Sequence, residues 1–127
     1  MKHQIFLSYA FQDKPWVSAF VDSLKKQGVS VWFDVQEISI GARFQELIEK
    51  ALRESNVMVV ILSVNSVKSP WIFFELGAAV ADNKRIIPVV IDDIAHEKIP
   101  LPLTKYQYLR EKSPVEAGKE VARALEN

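Results

Sequence analysis

Val57-Met58-Val59-Val60-Ile61-Leu62 is the longest unbroken apolar stretch of the chain, and its reading decides the fold. A strand with one wet face alternates apolar and polar side chains; apolar side chains at all six positions mark a strand covered on both faces, the central strand of a parallel sheet. Six residues are also far short of the roughly 20 that span a bilayer.

Working outward, short β-branched or aromatic runs alternate with helical patterns, the signature of a parallel sheet with crossover helices. Upstream, Ile5 to Tyr9 forms the first run. Asp13 as N-cap, Pro15 in the first turn and apolar Trp16, Val17, Phe20, Val21 and Leu24 then predict a helix that Gly28 closes. Val29 to Phe33 is the second run, followed by a polar loop from Asp34 to Gly41. Phe44, Leu47, Ile48, Ala51 and Leu52 recur on one helical face.

Downstream, Ser69-Pro70 starts a helix. Ile86 to Ile91 forms a fourth run, with Pro88 counting against it, and ends in Asp92 and Asp93. Pro100 and Pro102 forbid a long helix, while Tyr106 to Leu109 supplies a candidate fifth, edge strand. Ser113-Pro114-Val115-Glu116 is a capping box leading into a helix through Val121 and Leu125. The expected fold is α/β, a flavodoxin-like doubly wound parallel sheet of four or five strands with helices on both faces. Such sheets bind ligands at the carboxyl ends of their strands, here Ser8 to Gln12, Asp34 to Gly41, Ser63 to Ser69 and Asp92 to Asp93.

The 127 residues fit one domain, 1–127, open to being the N-terminal effector part of a longer chain with a sensor domain. Hydrophobic residues at 49% supply a core, and 16 basic against 16 acidic residues leave no overall field to draw nucleic acid or an anionic membrane. No nucleic acid or membrane is expected as a direct partner. The absence of cysteine removes disulfides, thiolate nucleophiles and Cys-ligated metals, and fits a cytoplasmic location. No signal-peptide pattern opens the chain.

G-x-x-x-x-G-K-[ST], G-x-G-x-x-G and G-x-S-x-G are all missing. His3 and His96 belong to no ligand cluster, so no metal site is expected. A phosphate-receiving response regulator would want an aspartate ending the third strand, where this chain has Ser63. Glu75 is the unusual residue, set in the apolar segment Trp71-Ile72-Phe73-Phe74-Glu75-Leu76-Gly77. Trp71 lies at i−4, on the same helical face. Either Glu75 points to solvent while Trp71 packs in the core, or indole and carboxylate face one pocket, where a carboxylate is expensive unless something uses it. Asp34 has two readings as well, a turn residue or a ligand contact. Arg43 is either solvated surface or a phosphate contact.

Four boxes taken together, Ile5-Phe6-Leu7-Ser8-Tyr9, Val31-Trp32-Phe33-Asp34 with Ile38 and Gly41, Val60-Ile61-Leu62-Ser63, and Ser69-Pro70-Trp71 with Glu75-Leu76, resemble a bacterial-type Toll/interleukin receptor (TIR) domain of the NAD-cleaving group. The resemblance covers nearly the whole chain, and its W-x-x-x-E is the specific element. It implies an NAD⁺ glycohydrolase giving nicotinamide and ADP-ribose or a cyclic ADP-ribose form, with Glu75 as the catalytic carboxylate. Trp71, Ser8, Tyr9, Asp34, Ile38, Gly41, Arg43 and Ser63 would border the substrate. NAD⁺ is then a substrate, and no cofactor is implied. It also implies assembly with other TIR domains, as a homo-oligomer or filament through the 34–42 loop, in bacterial defence or signalling. Ile72, Phe73 and Phe74 cannot all face one core beside Trp71: either at least one is an interface residue, or both sides of that helix are covered by its own domain. A non-enzymatic TIR scaffold is the alternative within the family. One departure stands out: some NAD-cleaving members carry basic residues directly after the first-strand tyrosine, where this chain has Ala10 and Phe11, so either Arg43 or Lys14 meets the diphosphate in their place or activity is low.

Overall fold

The computed structural model describes residues 5–34, 50–51, 53–68, 84–99 and 107–126, with residues 32–34, 68 and 96 described by backbone alone. The six-residue apolar run is β3 (Val57–Leu62), and every side chain along it is buried. It occupies the middle of a five-stranded sheet, beside β1 (Ile5–Ser8), with β2 (Val31–Asp34) outside β1. On the other side lie β4 (Arg85–Val90) and, at the edge, β5 (Leu109–Arg110). All four pairings are parallel, giving the doubly wound order 2-1-3-4-5.

Both faces of the sheet are shielded from solvent. Ile5, Leu7, Val57, Val59, Ile61 and Val89 pack on one side with Val17, Phe20 and Leu24 of helix α1 (Lys14–Lys26) and Val121, Ala122 and Leu125 of helix α2 (Pro114–Leu125). On the other side Phe6, Met58, Val60, Leu62, Ile86 and Val90 are equally buried. Each such side chain stabilises the fold by about 1.5–3 kcal/mol.

The second strand starts later than expected. Val29 is not the start of β2, because α1 ends in a Schellman motif: the Val29 N–H reaches back to the Leu24 carbonyl (2.9 Å) and the Gly28 N–H to that of Lys25 (3.0 Å). Gly28 supplies the positive φ of 83° that this turn needs. Pro88, which counted against the fourth strand, sits inside β4 opposite Val60. Arg85 and Ile91 donate to the Asn56 and Leu62 carbonyls, so odd-numbered residues of β4 address β3. Pro88 therefore faces the β5 side, where pairing begins only at Val89 opposite Leu109. Its missing N–H removes no ladder bond.

The Ser113 hydroxyl caps α2 by accepting the Glu116 N–H at 3.3 Å. The reciprocal half of the box goes elsewhere: the Ser113 N–H donates to Glu111 Oε2 (3.1 Å), while Glu116 pairs with Lys119. Lys50, Ala51, Arg53 and Glu54 are helical and Ala51 is buried, whereas Phe44, Leu47, Ile48 and Leu52 lie outside the described residues. So do the helix start at Ser69-Pro70, His3, Pro100, Pro102 and Tyr106. No helix among the described residues is long and apolar enough to cross a membrane.

Candidate active site

The chain leaves β1 for β2 on one side and returns to β3 on the other, so strand order reverses between β1 and β3. Sheets of this kind bind ligands in the crevice at the carboxyl ends of those two strands.

Ser8 ends β1 and Tyr9 follows it, both buried. Lys14, at the start of α1, donates from Nζ to Tyr9 Oη at 3.1 Å, and its ammonium stands 5.7 Å from the ring centroid. Of the two basic residues nominated to meet a diphosphate, Lys14 is thus already engaged by Tyr9. Between them Phe11 is 71% exposed.

Across the crevice, Ser63 follows β3 and is fully buried. Its Oγ donates to Asp13 Oδ2 (2.5 Å) and accepts the backbone N–H groups of Asn65 (3.1 Å) and Ser66 (3.0 Å). Asn65 Nδ2 donates to the second Asp13 oxygen at 3.1 Å. Ser66 Oγ donates to the Ile61 carbonyl (2.8 Å) and accepts the Ser63 N–H (2.9 Å). With its one proton and both lone-pair directions in use, the Ser63 hydroxyl is fully committed to holding the loop after β3. The Val64 N–H donates in turn to Asp92 Oδ2 at 2.8 Å. Two aspartates therefore link the loops after β1, β3 and β4 into one rim.

Asp13 is the residue that sequence reasoning missed. It stands at the N-cap position of α1, as expected, but its side chain makes no capping bond. Capping requires extended backbone at that position, and Asp13 has φ −94° and ψ 8° because the 3-10 turn Phe11–Asp13 precedes the helix. Its carboxylate crosses to the β3 loop instead. The available signal was the cluster Ser63, Asn65 and Ser66 directly after an all-apolar strand, whose buried hydroxyls need partners.

Trp71, Glu75, Ile38, Gly41 and Arg43 lie outside the described residues, as do Ile72, Phe73, Phe74 and the greater part of the Asp34 to Gly41 loop. The Asp34 backbone ends β2, the strand beside β1. Among the described residues no group of three His, Asp or Glu side chains is placed to hold a metal ion.

A family model described as "TIR domain" matches residues 5–125. The NAD(+) hydrolase TcpC of Escherichia coli O6:H1 is 33% identical over 97% of this chain and 42% of its own length. The probable 2' cyclic ADP-D-ribose synthase TcpO of Methanobrevibacter olleyae is 34% identical over 72% of this chain and 28% of its own. The chain thus spans less than half the length of these relatives. Among solved structures, the TIR domain of the Toll-related receptor TRR-2 from Hydra magnipapillata superposes with a TM-score of 0.79 at 22% identity, covering 99% of this chain and all of that one.

Proposed function

The chain belongs to the TIR domain family, and from that premise we propose that it is an NAD⁺ glycohydrolase that cleaves the bond between nicotinamide and ribose. The observation that carries this reading is the Trp71…Glu75 motif in a chain whose relatives across most of its length are named for NAD⁺ hydrolysis or cyclic ADP-ribose synthesis.

The reaction asks little acid–base chemistry of the protein. As the glycosidic bond breaks, its electron pair leaves with the nicotinamide nitrogen, which becomes neutral and needs no proton. The ribose carbon becomes oxocarbenium-like, and the Glu75 carboxylate stabilises that charge and holds the ribose hydroxyls. Water then adds at the same carbon and loses a proton, giving ADP-ribose; capture by a hydroxyl of the same molecule gives a cyclic form. No histidine, cysteine, metal or bound cofactor is needed, and NAD⁺ enters only as substrate.

Trp71 shapes the pocket beside Glu75. Ser8, Tyr9 and Ser63 form the crevice between β1 and β3, with Asp34, Ile38, Gly41 and Arg43 on the neighbouring loop. With Lys14 held by Tyr9, Arg43 is the one of the two nominated cations that meets the diphosphate. Other copies of the domain engage the 34–42 loop to form a homo-oligomer or filament, controlled by a sensor in a longer chain, in a cytoplasmic defence or signalling role. A second reading, a TIR scaffold without turnover, is favoured by one observation: apolar Phe11 stands exposed where some NAD-cleaving members carry a basic residue.

The test is nicotinamide release from NAD⁺ by the purified chain, free and clustered on beads, with Glu75→Gln alongside. Removing one electrostatic stabiliser of a transition state costs about 10²–10³ in kcat, so the variant falls by that factor or to background while its melting temperature stays. Retained turnover in folded Glu75→Gln removes Glu75 from its role. Absence of turnover in the native chain, free and clustered, favours the scaffold.

A further inference from the structure

Asp13 lies on the β1 side of the crevice, yet both bonds to its carboxylate come from the β3 side, from Ser63 Oγ and Asn65 Nδ2. It is a clamp across the point where strand order reverses. The loop it fixes leads within a few residues of sequence to Ser69-Pro70 and then to Trp71 and Glu75. On the near side, the turn carrying Asp13 follows directly on Ser8 and Tyr9. The clamp thus ties together the two chain segments on which the proposed site depends.

We propose that Asp13 is a positioning residue for the NAD⁺-cleaving site, holding the β1 and β3 loops at the separation that receives the dinucleotide; the inference rests on the functional reading above. Its bonds reach no reacting atom, so its effect runs through the population of the binding-competent arrangement. A site that is competent only part of the time shows a weaker apparent affinity by that fraction, while the occupied site reacts at its ordinary rate. Losing the clamp therefore raises KM and spares kcat. A merely structural role gives the opposite split, because a partly unfolded population lowers apparent kcat and leaves KM where it was.

Asp13→Ala and Asp13→Asn separate clamp from charge. The asparagine side-chain oxygen still accepts the Ser63 hydroxyl, and its Nδ2 donates to Asn65 once the Asn65 amide turns to present its oxygen. The native chain, both variants and Glu75→Gln are assayed for nicotinamide release when clustered, with amide hydrogen exchange at Asn65 and Ser66 in parallel. Asp13→Ala is expected to raise KM about 5–20-fold with kcat within about two-fold, the range set by a competent fraction of about 0.05–0.2. Exchange at the Asn65 and Ser66 amides accelerates, and Asp13→Asn restores both readouts. An unchanged KM in folded Asp13→Ala, or an Asp13→Asn as impaired as the alanine, overturns the inference and leaves the functional reading standing. Retained turnover in Glu75→Gln, or none in the native chain, overturns that reading and this inference with it. Should Asp13→Ala fail to fold, Asn65→Ala removes one of the two bonds and is expected to raise KM in the same direction by a smaller factor; an unchanged KM there counts as the same refutation.

Discussion

The flank where α1 meets α2 and the rim where the β1 loop meets the β3 loop both join segments far apart in sequence, but by different physics. On the flank the helices touch backbone to side chain. A Cβ at Gly118 would stand 2.3 Å from Ser23 Oγ and 2.5 Å from Ser23 Cβ, and that hydroxyl donates to the Val115 carbonyl of α2 at 2.7 Å. Around this contact Phe20, Leu24, Val121 and Leu125 are buried. The rim instead uses carboxylates, hydroxyls and loop amides, with Phe11 and Val64 left exposed on its outer side. Close packing fixes the fold and tolerates no added volume. Polar clamps fix loop positions and contribute modestly to stability, so the two regions are separable by mutation.

The largest expected effect on stability comes from filling the flank. Gly118→Leu drives a side chain into Ser23 and the α1 backbone, and is expected to destabilise the domain by about 3 kcal/mol, at the upper end for overpacked cores. Gly118→Ala costs less, roughly 1–2 kcal/mol, despite the better helix propensity of alanine. Combining it with Ser23→Gly removes the two side-chain atoms it strikes, so the double variant is more stable than the sum of the singles implies. Urea denaturation of the four chains measures the coupling. An additive result breaks the comparison, because Gly118 would then be a helix glycine with no packing role.

That contact also marks how far the sequence could be read. β3 was legible as the sheet centre because burial on two faces leaves a direct record, six apolar side chains in a row. A doubly wound parallel sheet of four or five strands followed from the alternation of elements, and the loops at the carboxyl ends of its strands followed as the place for a ligand, while the order 2-1-3-4-5 came from the structure. Gly118 was not legible, since its role depends on which α1 residue it meets, and helical periodicity gives faces without depths. Asp13 was misread for a related reason. An aspartate ahead of a helix has a local use as a cap, and only the fold supplies the competing partner about fifty residues away. Glu111 displaced Glu116 from the capping box in the same way, through a bond two residues long that the motif does not contain. Glu75 and Trp71 remain a reading of motif and relatives, because chemistry at a pocket needs side-chain placement that spacing alone does not give.

Asn65→Ala is the intermediate case and sharpens the contrast from the rim side. It removes one charge-assisted bond to Asp13 and leaves the Ser63 bond in place. With Asn65 half-exposed, water replaces the lost donor, so the expected cost in folding is about 1 kcal/mol or less. The rise in KM named above should accompany it. A loss of stability rivalling that of Gly118→Leu would show that the rim carries the fold after all.

The smallest effect is expected at Lys112, where flank and rim approach each other. Its ammonium pairs with Asp93 at 3.1 Å, but the side chains are 71% and 89% exposed, and ion pairs in that setting contribute about 0–1 kcal/mol, lessened by salt. The connection that matters is made by its backbone. The carbonyl of Lys112 accepts the Trp16 indole N–H at 2.8 Å, and Trp16 stacks on Phe20 with centroids 5.3 Å apart, which joins the loop after β5 to the core of the flank. Lys112→Met keeps that carbonyl and deletes only the ion pair, so stability should change by no more than about 0.5 kcal/mol. Trp16→Phe keeps the ring and deletes the indole donor, leaving the carbonyl to water at a cost of about 1 kcal/mol. The ordering of these two variants in thermal melts at low and high salt is the decisive comparison: if Lys112→Met is the more damaging at both, the loop is held by charge, and the division between packed flank and polar rim fails at their junction.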